Sequence, residues 1–139
     1  MNAREERSAG VILYRLRGRK PVFLLLQYPA LHWEFAKGKK EGRETDLQTA
    51  LREVREETGI VDVEIVPGFR ERMKYRYMDG DTIVHKEVVF FLGKTATKRV
   101  VLSDEHRRHA WEGYENAASR VTYPAAKSML ARARRHIQN

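Results

Sequence analysis

Three glutamates near the middle of the chain carry the strongest chemical signal. Glu53, Glu56 and Glu57 stand at i, i+3 and i+4, a spacing that puts all three on one face of a helix. As a device for stability this is poor. Like charges at that spacing repel by roughly 0.2–0.5 kcal/mol per pair. Near a helix C-terminus the dipole disfavours each anion by about 0.3–1 kcal/mol. A hard divalent cation reverses that balance, because magnesium takes oxygen ligands and is usually held by a few carboxylates plus substrate phosphates. The competing reading of a charge run is a solvated acidic face. Arg52 lies four residues before Glu56 and can reach it along the helix. Glu44 falls near the helix start, where an anion is favoured; a plain helix-start charge and a catalytic role fit it equally.

A helix must carry these groups, and its signals are in place. Thr45 followed by Gln48 fits a capping box. Leu47, Ala50, Leu51 and Val54 form one apolar stripe, which predicts a core-facing side. Gly59 suits the left-handed residue that ends a helix. The helix is predicted over about residues 45–58.

Around it the chain alternates between strand and turn. Ser8 to Arg15 and Pro21 to Gln27 read as strands joined through Gly18. The second is almost wholly apolar, as a central strand covered on both faces would be. A strand is expected around Val61 to Val66. Gly68 to Tyr77 and Thr82 to Thr95 form the next pair, with Asp79-Gly80 as the hairpin turn. A short strand near Arg108 to Trp111 and a short helix over Glu112 to Ser119 follow. The last helix is predicted over Thr122 to Gln138, capped by Thr122, with Pro124 in its first turn. Its expected apolar stripe is Tyr123, Ala126, Leu130, Ala133 and Ile137. Lys127, Arg132, Arg134, Arg135 and His136 make its other side basic, which reads as a solvated face.

The chain has 139 residues, enough for one domain with a proper core, residues 1–139. No apolar run approaches a membrane span, and residues 1–7 are polar with no signal-peptide core. There is no cysteine, which excludes disulfides, thiolate zinc sites and a cysteine nucleophile. A cytoplasmic location is the expectation. The balance of 27 basic against 19 acidic residues gives +8. Such a surface draws polyanions such as nucleotides or RNA, and equally serves solubility.

The glutamates also belong to a longer pattern. Gly38, five residues, Glu44, seven residues, Arg52-Glu53-Val54, one residue, Glu56-Glu57, one residue, Gly59-Ile60 fills every fixed position of the Nudix box. The chain therefore resembles the Nudix hydrolases. The resemblance implies an α/β fold, with a mixed sheet in an α/β/α sandwich. It also implies a divalent metal, usually magnesium with manganese as a substitute, and attack by water on a phosphoanhydride. Further stretches are similar to the asymmetric diadenosine tetraphosphate hydrolases, which form ATP and AMP. They are residues 23–27, residues 32–38, Gly68-Phe69, residues 102–106 and Trp111.

Carried over by position, this resemblance implies that Glu53, Glu56 and Glu57 are metal ligands. Glu53 or Glu56 would be the general base, with Arg52 bracing the carboxylates. The Gly38 carbonyl and Glu105 would complete the metal shell. Lys37 and the weaker candidate Lys39 would neutralise phosphate, Lys86 would contact it, and Tyr75 or its neighbour Tyr77 would stack on a base. His32 and Trp33 would flank the same cleft, while Trp111 reads as core. Two features depart from the subgroup. Ala36 stands where proline is usual, and the loop Lys39-Lys40-Glu41-Gly42-Arg43 has its glycine one place early.

The implied partner is a nucleoside polyphosphate, with RNA as an alternative, no membrane, and a monomeric or homodimeric state. Three other functions compete: an RNA 5′-pyrophosphohydrolase, an enzyme for an inositol pyrophosphate or another nucleotide derivative, and a binding module without turnover.

Overall fold

The computed structural model describes residues 2–138. Its elements are β1 (Asn2–Arg17), β2 (Lys20–Gln27), β3 (Trp33–Glu34), β4 (Ala36–Lys39), α1 (Asp46–Thr58), β5 (Glu64–Asp79), β6 (Thr82–Lys94), β7 (Arg108–Gly113), α2 (Tyr114–Arg120) and α3 (Pro124–Gln138). The sheet runs β3-β2-β1-β6-β5, with β4 on β1 and β7 on β2. β1 and β6 are parallel and the other pairs antiparallel, so the sheet is mixed.

Alternation along the strands divides the core in two. Ile12, Phe23, Leu25, Phe35, Val88 and Phe90 pack against Ala117 of α2 and Ala126, Leu130 and Ala133 of α3. Val11, Leu13, Leu24, Leu26 and Val89 pack against Ala50 and Val54 of α1. The result is the expected α/β/α sandwich. β2 is buried on both sides, as its continuous apolar run requires.

Four local expectations change. β1 starts at Asn2 rather than Ser8, because residues 2–7 pair in register with β6; a polar segment shows no strand pattern until its partner is known. Residues 61–63 lie outside any strand. The strands expected over residues 61–66 and 68–77 are instead one long β5 from Glu64, whose register slips between Ile65 and Arg70 around Gly68 (φ 84°). Leu47 is exposed, and the packed side of α1 is Thr49, Ala50, Val54, Glu57 and Thr58. This rotation turns Glu53 and Glu57 inward toward β4. Finally, the Thr122 hydroxyl does not cap α3. It accepts from the Trp33 backbone N–H (2.9 Å), and the first turn closes on the Tyr123 carbonyl.

The basic side of α3 is largely occupied within the molecule. Arg132 pairs with Glu71, Arg134 lies over Tyr114, Lys127 donates to the Ala118 carbonyl, and His136 Nε2 bonds the Pro67 carbonyl. Among the described residues no helix is long and apolar enough to cross a membrane.

Candidate active site

The box helix is built as its sequence requires. Thr45 and Gln48 form the reciprocal capping box, and Gly59 ends the helix at φ 75°. The helix lies against β4 so that Glu57 Oε1 accepts the Lys37 backbone N–H (2.9 Å). Gly38 faces the carboxylate of Glu53, and a Cβ there would collide with it. Glycine is thus required at position 38 for close approach rather than for an unusual torsion.

One guanidinium organises the remainder. Arg52 donates from Nε to Glu44 Oε2 (2.7 Å), and from Nη1 to Glu53 Oε1 (2.8 Å) and Glu56 Oε2 (3.0 Å). Its Nη2 donates to the Lys39 carbonyl (2.9 Å) and to Glu44 Oε1 (3.0 Å). Glu44 also accepts from the Glu41 N–H and the Thr49 hydroxyl. Glu44 and Arg52 therefore tie the segment before α1 to the helix and to β4. Planarity suits arginine to this task, since its fork spans several acceptors at once.

The carboxylates are costly where they stand. Glu57 is buried, and burial together with Glu53 pushes its pKa up to about 9. Burial raises Glu53 too, against the opposing pull of Arg52. Glu105, on the loop before β7, adds negative potential at both. That loop is docked on α1 through Val101 N–H to the Thr58 carbonyl (2.9 Å). His106 beside it has a fully buried side chain. Its Nε2 lies 3.3 Å from Glu57 Oε2 and has no hydrogen-bond partner. Glu56 is half exposed.

Crowded, desolvated oxygen donors beside a carbonyl-bearing glycine strand suit a hard divalent cation. Among the described residues no three acidic or histidine side chains form a closed cage. That is compatible with magnesium, which keeps several waters and shares its shell with substrate phosphates.

A cleft of about 530 Å³ lies beyond β4, lined by His32, Glu34, Lys37, Met73, Lys74, Tyr75, Tyr123, Pro124 and Ala125. Lys37 and Lys39 pair with Gly10 and Ser8, and so share the α3 side of the sheet, while Gly38 meets α1 on the other. The β4 edge is the threshold between carboxylates and cleft. Tyr75 and Tyr123 are both about half exposed. The His32 ring stacks on Tyr28 (centroids 4.8 Å) and lies 5.6 Å from Tyr123. Burial and Lys37 lower the His32 pKa. Lys37 also sits 3.7 Å from the buried Glu34, whose pKa burial raises.

Not every candidate reaches this cleft. Trp33 lies under the guanidinium groups of Arg120 (4.7 Å) and Arg108 (5.7 Å), each measured to its ring. Tyr77 donates its hydroxyl to Glu6 (2.9 Å), which also meets Lys86 and Lys39, each at 3.3 Å. Trp111 packs beside the α1-side core and donates to the Lys98 carbonyl.

Four residues escaped the sequence reading as site groups. Tyr123 matches the apolar stripe of α3 by spacing, but it precedes that helix and borders the cleft. Glu34 lay inside a quoted motif as an unmarked acid. Glu6 sat in a segment with no strand signal. His106 also lies inside a quoted motif, in which no role falls to it. Only the tertiary structure brings them to the site.

Comparison with known proteins places this geometry. The NUDIX domain model matches residues 4–133, and the chain belongs to that family. It is a Nudix hydrolase. It is 35% identical over 136 residues to an asymmetrical bis(5′-nucleosyl)-tetraphosphatase of Sus scrofa, covering 89% of this chain and 90% of that protein. The crystal structure of a Caenorhabditis elegans Ap4A hydrolase binary complex superposes with a TM-score of 0.82 at 31% identity, over 96% of this chain and 95% of that one. A shorter likeness, 43% over 63 residues, links 42% of this chain to 26% of the mRNA-decapping protein g5R of African swine fever virus.

Proposed function

We propose that the chain acts as one domain on a dinucleoside polyphosphate, hydrolysing diadenosine tetraphosphate to ATP and AMP with magnesium, or manganese in its place. The observation that carries this reading is the pairing of a cleft lined by Tyr75, Tyr123 and Lys37 with the Glu53 and Glu57 carboxylates on the other side of β4. A base fits between aromatic walls, where stacking contributes roughly 1–3 kcal/mol. The phosphates then cross a strand whose lysines offset their charge.

Glu53, Glu56 and Glu57, with the Gly38 carbonyl and Glu105, would hold the divalent metal. When bound it supplies charge neutralisation and a water of lowered pKa. Glu53 or Glu56 accepts the proton of the attacking water. Arg52 keeps those two carboxylates at fixed positions. Lys37 and Lys86 orient the phosphate chain, and the base stack sets which phosphorus faces the water. In asymmetric cleavage that is the fourth phosphorus from the stacked adenosine. A cytoplasmic protein, monomeric or homodimeric, fits this role.

The second reading is an RNA 5′-pyrophosphohydrolase. It is favoured by the +8 charge and by the partial likeness to a decapping protein. One assay separates the two. Magnesium-dependent hydrolysis of diadenosine tetraphosphate, a 5′-triphosphorylated RNA, ADP-ribose and an inositol pyrophosphate is compared, with products resolved by ion exchange. ATP plus AMP at the highest kcat/KM of the panel is expected. Faster pyrophosphate release from RNA would replace the first reading by the second.

A further inference from the structure

Among the described residues, Glu6 on the cleft side of the sheet gathers four side-chain donors. Its Oε1 accepts from Tyr77 Oη (2.9 Å) and Lys86 Nζ (3.3 Å). Its Oε2 accepts from Arg4 Nη2 (3.1 Å) and Lys39 Nζ (3.3 Å). Its side chain is only 10% exposed. The strand register explains the gathering. Glu6, Lys86 and Tyr75 form one row across β1, β6 and β5, and Arg4, Val84 and Tyr77 form the next row on that side. Lys39 enters from β4, opposite Ser8.

Two lysines, an arginine and a phenol are a donor set that suits a phosphate group, and here a carboxylate fills it. The same lysines belong to the proposed phosphate path. We infer that Glu6 is a specificity-determining residue that marks the end of this path, filling its last anionic position and repelling any further phosphate. The inference rests on the reading of the site as one for nucleoside polyphosphates. Ala9 on β1 is opposite Gly38. Glu6 is three residues further along, about 10 Å at 3.3 Å per residue. The separation between the Glu53 carboxylate and this fixed anion is thus set by one strand.

A fixed anion acts on charge and not on the base. It discriminates by phosphate number, and it does so mainly by repulsion. Removing the charge relaxes the limit. Merely shortening the side chain keeps it.

The experiment uses the full chain, Glu6→Gln and Glu6→Asp, with circular dichroism to check folding. KM and kcat are measured for diadenosine polyphosphates of three to six phosphates. In Glu6→Gln the KM for the five- and six-phosphate compounds falls by roughly fivefold or more relative to the four-phosphate compound, because the like charge that opposes the longer chains is gone. Glu6→Asp keeps the original preference. The Glu6→Gln change shrinks at high salt. An equal rise in KM at every length would show Glu6 only to position Lys86 and Lys39, and would overturn the inference; so would no change. Calorimetric titration with inorganic tri-, tetra- and pentaphosphate in magnesium separates the two failures. If no dinucleotide is hydrolysed, the substrate reading falls. Length-dependent tightening of inorganic polyphosphate in Glu6→Gln alone would still support Glu6, and its absence would reject it.

Discussion

Gly38 lies directly against the carboxylate of Glu53, with no room between them for a methyl group. The glycine of the box and its first helical glutamate are therefore one structural unit, although fourteen residues separate them in sequence.

Gly38→Ala should displace the Glu53 carboxylate and leave the sandwich intact, since β4 is only four residues long and pairs with β1 alone. A misplacement near 1 Å costs on the order of 10²-fold in rate. kcat is expected to fall by about that factor. The melting temperature should change little. Full activity in a folded Gly38→Ala protein would separate the two residues again.

Arg52→Lys tests the brace. Lysine cannot span Glu44, Glu53, Glu56 and the Lys39 carbonyl together. Urea unfolding should report a loss of about 2 kcal/mol, the scale of charged hydrogen bonds lost from a partly buried network. kcat should fall with little change in KM. A rise in KM alone would place Arg52 on the substrate instead.

Tyr123→Ala and Tyr75→Ala test the two walls of the cleft. Each should raise KM for diadenosine tetraphosphate by roughly tenfold, near the lower half of the energy expected of a base stack. The effect on inorganic polyphosphate binding should be absent. An equal effect on both ligands would assign the tyrosines to packing.

Asp46 gives a pH dependence away from the carboxylate cluster. Hydrogen bonds from Arg7, then Arg70, against opposing burial, lower its pKa from 3.8 to about 2. The folded value lies below the unfolded one, so its stabilisation is complete above the unfolded pKa. It is lost as pH falls toward about 2. Both arginines are substantially exposed, so the amount is discounted to about 1 kcal/mol. Asp46→Asn should lower stability at pH 7 by that amount and converge with the parent near pH 2 in acid titrations of unfolding. Parallel curves would remove the ion pair from the account.

The box helix was legible because its signals are local. Thr45, Gln48 and Gly59 act within one or two turns, and their roles follow from spacing alone. The apolar β2 was legible for the same reason. Glu6 was not, because a polar segment becomes a strand only through β6, some eighty residues away. Tyr123 was misread because a tyrosine at helical spacing matches a core stripe until Thr122 is seen bonded to Trp33. Leu47 failed similarly: burial of Glu57 on α1 rotates the helix, and sequence gives no reason to bury a glutamate before a leucine.

β1 pairs with β4 and β6 at once, through Ala9 opposite Gly38, Ser8 opposite Lys39 and Glu6 opposite Lys86. These three rungs cannot move independently. A one-residue bulge between Glu6 and Ala9 would slide the lysine edge against the carboxylates by about 3.3 Å. Under the proposed function, that shift would present a different bond of the same polyphosphate for cleavage. A change of product could thus arise by insertion in a strand that carries none of the catalytic side chains.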